Sequence, residues 1–212
     1  MTEDAPIVYV VDDDLSVRRS LARVIRAAGY RVKTFAQARD FLDQKESKDP
    51  HCLVLDINLP DRSGLDLQRD LSSEGDSTPI VFITGYGTIP ITVQAMKGGA
   101  VEFLEKPVDQ QSLLKAVHRA IEKDRRMKQH VNDLREIQQR LASLTPREKE
   151  VLPYVVSGLL NKQVALKLGT TEKTIKVHRA RILRKMRADS LVDLARLAQK
   201  VGIGFQKSSA GS

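Results

Sequence analysis

The residues that could do chemistry sit in four short stretches far apart in the chain: Asp12-Asp13-Asp14, Asp56, Thr84 and Lys106-Pro107. Each closes or follows an apolar run, namely IVYVV (7–11), CLVL (52–55), IVFIT (80–84) and VEFL (101–104). In an open parallel sheet, ligands bind beyond the carboxyl ends of the strands, so these groups would meet at one edge. Crowded carboxylates repel one another and resist ionising. A hard divalent cation relieves that repulsion, and Mg²⁺ suits a few carboxylates with positions left for water and phosphate. Asp56 ends an apolar strand alone and is followed by the turn INLPDRSG. A carboxylate so placed can accept a phosphoryl group as an aspartyl phosphate. The transfer needs charge neutralisation more than covalent help. The metal, the Lys106 ammonium and backbone N–H groups near residues 57 and 58 are the candidates to supply it. Lys106-Pro107 is a candidate cis bond that would aim the lysine. Taken singly these signals are ordinary turns; their order along the chain carries the reading.

The elements that position them follow from periodicity. A fifth apolar run, RVKTF (31–35), ends in Phe35-Ala36 and brings nothing polar to the edge. Between the runs lie segments of helical period. Leu15, Val17, Leu21, Val24 and Ile25 form a stripe that Gly29 ends, and further helices are expected over 37–46, 64–74, 88–98 and from 109 onward. The fold class is therefore α/β, a five-stranded doubly wound parallel sheet of flavodoxin-like order, joined by a long linker helix to a small all-α domain. The helical pattern from 109 runs to about Leu144 with neither Gly nor Pro. Met127, Val131, Leu134, Gln138 and Leu141 keep a heptad-like spacing, with Ile137 and Leu144 alongside. Two readings stand: a short coiled-coil seam giving a dimer, or a linker helix packing on its own domain. The expected domains are 5–122, a helical linker over 123–140, and 141–204.

Charge separates the halves. Residues 1–123 hold 16 Lys and Arg against 19 Asp and Glu, and residues 124–212 hold 19 against 8. A basic half joined to an acidic one points to a polyanion partner for the second alone. From Ser143 the chain reads SLTPREKEVLPYVVSGLLNKQVALKLGTTEKTIKVHRARILRKM. Thr145, Pro146 and Glu148 make a capping box with Pro at the first helical position, and Val151, Leu152, Val155 and Val156 form that helix's apolar stripe. A short helix over 161–168 buries Val164, Ala165 and Leu168. Gly169 turns the chain, and Thr170 or Thr171 caps a helix that runs to about Arg187, the helix-turn-helix plan. In that last helix Ile175, Ile182, Leu183 and Met186 face inward. Lys173, Lys176, Val177, Ala180, Arg181 and Arg184 face outward, a cationic strip with small apolar members that suits the major groove of DNA.

Other chemistry finds little support. Cys52 is the only cysteine and falls inside a strand run, which reads as core. His51, His118, His130 and His178 lack metal-ligand spacing; His178 is expected to pack against the turn or touch a phosphate. No GxxxxGK[ST] or GxSxG occurs. The acidic start, MTEDAP, is unlike a signal peptide, no apolar stretch approaches membrane-spanning length, and the tail KSSAGS is expected to fray. The expected location is cytoplasmic, with no membrane partner.

Residues 7 to about 122 resemble the receiver domain of a bacterial two-component response regulator, on the motifs VVDDD, VLDINLPDRSGLDL and IVFITGYGTIPITVQAMKGGAVEFLEKPV. The resemblance implies that Asp56 is the phosphoacceptor for a sensor histidine kinase. Asp13, Asp56 and the carbonyl of Asn58 would hold Mg²⁺, with Asp12 acting through water. Thr84 and Lys106 would grasp the attached phosphoryl group, and Phe103 would be the switch aromatic, where the family often has Tyr; Phe keeps the packing change and drops the hydroxyl. Residues 141 to about 203 resemble the LuxR-type DNA-binding domain, and the pairing resembles NarL/FixJ-type regulators. That likeness implies DNA reading through Lys176, Val177 and the following basic residues Arg179, Arg181 and Arg184, with Asn161, Lys162 and Thr174 near phosphates and the helix over 190–201 supporting dimerisation. Ala180 stands where some relatives carry a basic contact, and Pro153 interrupts the first helix, where it should introduce a kink. The function so implied is a phosphorylation-switched transcription factor, an activator, dimeric when phosphorylated, with promoter DNA and RNA polymerase as further partners. Two alternatives are an Asp-based, Mg²⁺-dependent phosphatase and a constitutive DNA binder whose receiver is only a scaffold.

Overall fold

The computed structural model describes residues 5–44, 51–85 and 87–203; the tail expected to fray lies outside them. The chain divides into two compact units, Met1–Lys128 and Gln129–Ser212.

In the first unit five strands alternate with helices: β1 Ile7–Val11, α1 Leu15–Ala27, β2 Arg31–Phe35, α2 Ala38–Gln44, β3 His51–Asp56, α3 Gly64–Ser73, β4 Ile80–Thr84, α4 Ile89–Lys97 and β5 Glu102–Glu105, followed by α5, Gln110–Ala142. The sheet order is β2-β1-β3-β4-β5, and every pairing is parallel. Parallel strands covered on both faces need apolar side chains at every position, and β1, β3 and β4 are buried throughout. Alternation then splits each strand between two cores. Tyr9, Leu53, Leu55 and Phe82 face Phe41, Leu67 and Leu71. Val8, Val10, Val54, Val81 and Ile83 face Leu21 and Ile25 of α1 and Leu113, Val117 and Ile121 of α5. Cys52 is packed in this second layer, where burial pushes its thiol up out of the reactive range.

Two details depart from the sequence expectation. Leu15, assigned to the buried stripe of α1, is 50% exposed because it stands at the helix's first position, ahead of the turn that touches the sheet. β5 begins one residue later than expected, at Glu102. The stripe along α5 also divides. Ile137 is buried in the second unit's core and Leu141 packs against it, whereas Val131 is 54% exposed.

The second unit is helical: α6 Pro146–Val156, α7 Asn161–Lys167, α8 Glu172–Met186 and α9 Leu191–Lys200. The capping box expected at Thr145 and Glu148 is present. α6 runs on through Pro153, and the hydroxyl of Ser157 donates to the Pro153 carbonyl at 2.8 Å. Gly169 takes a φ of 61° in the turn before α8, a conformation that costs a glycine little. Among the described residues no helix is long and apolar enough to cross a membrane.

Candidate functional site: an acidic pocket and a cationic helix face

Strand order reverses between β1 and β3, and a crevice opens there at the carboxyl ends. Asp12 follows β1 and is fully buried; Asp56 ends β3 and is 4% exposed; Thr84 ends β4 and is fully buried. Lys106 directly follows β5 and is joined to Pro107 by a cis peptide bond. Its Nζ lies 2.6 Å from Asp12 Oδ2 and 2.6 Å from Asp56 Oδ2. The contact to Asp56 is a hydrogen bond, and that to Asp12 is an ion pair with a fully buried carboxylate. The Asn58 backbone N–H donates to Asp56 Oδ1 at 3.2 Å, and that of Asp14 to Asp12 Oδ1 at 2.9 Å. Asp13 is exposed at the rim, yet offers an oxygen within 4.8 Å of oxygens from both Asp12 and Asp56.

The electrostatics follow from this crowding. Burial raises the Asp12 pKa above the usual carboxylate range; Lys106 and the Asp14 N–H oppose the shift, and the Asp56 charge adds to it. Burial also works against the Lys106 charge, but hydrogen bonds and Coulomb attraction from the two carboxylates outweigh it and hold the ammonium above its ordinary value. One ammonium among three carboxylates leaves the pocket negative. Such an oxygen-rich donor set fits a hard divalent cation.

Local structure holds the loops in place. Asp14 is the N-cap of α1 and accepts from the N–H groups of Ser16 and Val17. Ser63 caps α3, and the N–H of Gly64 donates to the Ile57 carbonyl at 2.8 Å. A Cβ on Gly64 would fall 2.4 Å from the Asp56 carbonyl oxygen, so only glycine lets the chain return this close behind the acid. Asp61 caps α2 from outside, accepting from Ala38 and Arg39 N–H at 3.3 and 3.1 Å. Those donors outweigh its slight desolvation and lower its pKa. Phe103 is half-buried against the sheet core. A Cβ on Gly87 would fall 3.0 Å from its ring, so Gly87 lies close against it.

The second candidate surface is α8. Ile175, Ile182 and Met186 are fully buried and Leu183 packs against that core. Lys173, Lys176, Ala180, Arg181 and Arg184 are exposed, and Val177 is 43% exposed. Thr174 is half-buried, its hydroxyl 2.8 Å from that of Thr171, the N-cap. On α7, Lys162 is exposed and Asn161 half-buried. Arg179, which the family likeness places among the DNA-reading residues, reaches back within the unit: its Nη1 donates to the Leu159 carbonyl at 3.1 Å and to Asn161 Oδ1 at 2.7 Å. The length of its side chain lets it reach from α8 to α7. His178 is half-buried with no partner for Nδ1 among the described residues.

A parallel sheet of this order, with an acid cluster and a lysine at its switch point and a helix-turn-helix in the same chain, defines a receiver joined to a DNA-binding module. Residues 8–118 match the response regulator receiver domain, and residues 142–198 match the luxR family of bacterial regulatory proteins. Nodulation protein W of Bradyrhizobium diazoefficiens is 47% identical over 93% of this chain and 87% of its own length. The transcriptional regulatory protein FixJ of Azorhizobium caulinodans is 38% identical over 96% of both chains. The solved structure of the response regulator StyR superposes with a TM-score of 0.85 at 44% identity, covering 92% of this chain and 99% of that one. The chain belongs to the NarL/FixJ-type response regulators, transcription regulators that pair a receiver with a LuxR-type DNA-binding domain.

Proposed function

We propose that Asp56 is the phosphoacceptor in a two-component relay and that its phosphorylation switches the DNA-binding unit. The carrying observation is the convergence of Asp56 with Lys106 Nζ at 2.6 Å and the Asn58 N–H at 3.2 Å. A nucleophilic carboxylate already faces the cation and the donor that phosphoryl oxygens need. In the transfer, the P–N bond to the kinase histidine breaks as a bond from phosphorus to an Asp56 carboxylate oxygen forms. Asp13, Asp56 and the Asn58 carbonyl would hold Mg²⁺, with Asp12 reaching it through water. When bound, the ion neutralises charge on the transferring group. Lys106 then exchanges its carboxylate contact for a phosphoryl oxygen, and the Thr84 hydroxyl takes another. Thr84 and Phe103 shift together, Phe103 through packing alone because it carries no hydroxyl. The surface that changes is that of α4 and β5, where Ile89, Val93 and Met96 stand exposed, and phosphorylation favours a homodimer through it.

In this reading the partners are a sensor histidine kinase, promoter DNA and RNA polymerase. The protein acts as an activator in the cytoplasm. Lys162, Lys173, Lys176, Val177, Arg181 and Arg184 contact DNA, with Asn161 and Thr174 near phosphates and Arg179 bracing α7 behind them. The test is radiolabelling of the full chain by a phosphodonor with Mg²⁺, followed by promoter footprinting of the same sample. Label on Asp56 with a stronger footprint is the expected result. Label elsewhere, or a footprint indifferent to phosphodonor, overturns the reading; the second outcome would leave a constitutive DNA binder.

A further inference from the structure

Asp13 presents a difficulty that the pocket alone does not resolve. Its side chain is exposed and enters none of the ion pairs among the described residues. An exposed carboxylate held by nothing samples several rotamers, and holding it in one costs conformational entropy. What places it must therefore act on its backbone.

One group does. Arg18, one turn into α1, sends its Nη1 to the carbonyl oxygen of Asp12 at 2.6 Å and to that of Asp13 at 2.8 Å. A single guanidinium nitrogen thus bridges two successive carbonyls. The same three residues are tied by Asp14 N–H to Asp12 Oδ1 at 2.9 Å, and by the Arg18 N–H to the Asp14 carbonyl at 3.0 Å. Asp14 in turn caps the helix that carries Arg18. The loop between β1 and α1 is closed on itself, with Arg18 as its outer strut.

We propose that Arg18 is a positioning residue for the divalent cation: it holds the Asp12–Asp13 backbone so that both carboxylates are presented to the pocket. This rests on the reading of the pocket as a Mg²⁺ site. Groups that orient metal ligands commonly matter on the order of tenfold or more for affinity when removed.

The charge of Arg18 makes the proposal sharp, because charge and positioning predict opposite signs. A guanidinium near an acidic cluster repels an incoming dication, so if Arg18 acted only through its field, removing it would tighten Mg²⁺ binding. As a strut, its removal weakens binding. Lysine keeps the charge but its side chain ends one bond short of Nη1, so it would leave at least one carbonyl unheld.

The experiment is titration calorimetry of Mg²⁺ into the full-length chain, for the parent protein, Arg18→Gln and Arg18→Lys, with thermal melting of each. A small acyl phosphate serves as phosphodonor for labelling, so that kinase docking plays no part. Positioning predicts Mg²⁺ binding weakened about tenfold in Arg18→Gln, weakened less in Arg18→Lys, and labelling slowed at low Mg²⁺ but restored at high Mg²⁺. Unchanged or tighter binding in Arg18→Gln overturns the proposal. Should Arg18→Gln fail to fold, Arg18→Lys decides alone: weaker binding than the parent supports the strut, and equal binding rejects it. If the parent chain itself neither binds Mg²⁺ nor is labelled, the pocket reading fails, a result distinct from failure at Arg18.

Discussion

The pocket at the sheet edge and the outer face of α8 solve opposite electrostatic problems. The pocket draws its groups from four strand ends between Asp12 and Lys106, buries two of its carboxylates and sets one ammonium between them. The α8 face draws its cations from one helix, leaves them exposed and gives them no ion pair among the described residues. Inside the pocket Lys106 contacts Asp12 and Asp56 at once, so substitutions there act together and do not add. On the face each cation stands in water, screened by salt, and contributes a roughly independent share of a counterion-driven affinity. The first arrangement suits an all-or-none event, the second a graded one.

The largest expected effect tests the all-or-none side. Asp56→Asn removes the one nucleophilic carboxylate while keeping its shape, and labelling by a phosphodonor should vanish while the thermal transition survives. Persistent label at another acid would show that the pocket is not organised around one residue. Gly64→Ala should rank next. Its Cβ would meet the Asp56 carbonyl at 2.4 Å, and the main chain must move to accept it, at a cost of about 1–3 kcal/mol by analogy with overpacked cores. Denaturant unfolding measures this, and labelling should slow because the displaced carbonyl belongs to the phosphoacceptor. Normal stability with normal labelling would mean the β3–α3 turn is slacker than its contacts suggest.

How much of this was legible in the residues depends on what each one does. Asp12, Asp56, Thr84 and Lys106 announce themselves because a polar residue ending a buried strand needs a reason, and a parallel sheet brings all such ends together. The strands are legible for the same reason, as unbroken apolar runs. Leu15 misled because periodicity cannot tell a helix's first position, which overhangs the sheet, from its second turn. Gly64 carried a weak signal, a Ser-Gly pair before an apolar run, which reads as a helix start but hides the approach to Asp56. Arg18 and Asp61 were invisible: their contacts are to backbone carbonyls and N–H groups, which every residue owns, so no pairing of residue types betrays them. Arg179 adds a further case, since its hydrogen bonds to the Leu159 carbonyl and Asn161 carry no signal in residue type or helical spacing.

Charge in the second unit offers a counterpart to the pocket. Glu148 is 1% exposed and pairs with Lys185 Nζ at 2.6 Å. It also accepts from the Thr145 N–H at 2.9 Å. Its desolvation is outweighed by the Lys185 hydrogen bond and the Thr145 N–H, which hold its pKa below the ordinary 4.5. A depressed carboxylate stabilises the fold above its unfolded value and loses that contribution as pH falls through the folded value. Thermal melting of the full chain should therefore show a stability component that is present above about pH 4.5 and disappears below it, and Glu148→Gln should abolish that component. At neutral pH the same variant should lose about 2 kcal/mol, the scale of one hydrogen bond to a charged group. It should leave phosphodonor labelling untouched. A variant as stable as the parent would place this pair with the weak surface pairs.

The smallest effects separate two cations on one helix. Lys176 is exposed, and if it meets a phosphate, Lys176→Ala should weaken promoter binding uniformly across sequences and lower the slope of log affinity against log salt by about 1. Its melting temperature should stay where it was, since nothing packed depends on its head group. Arg179 is half-buried, and its Nη1 satisfies the Leu159 carbonyl and Asn161 where the chain enters α7. Arg179→Ala should cost about 1–3 kcal/mol of stability, because it strips a charged donor from two partly buried acceptors. It should leave the salt slope near its original value, and any loss of affinity should come through misplacement of α7. Equal salt-slope losses in the two variants would return Arg179 to the DNA face and make α8 a uniform cationic surface. Unequal losses would show that the graded side of the molecule also contains a residue acting, as the pocket's do, through its neighbours.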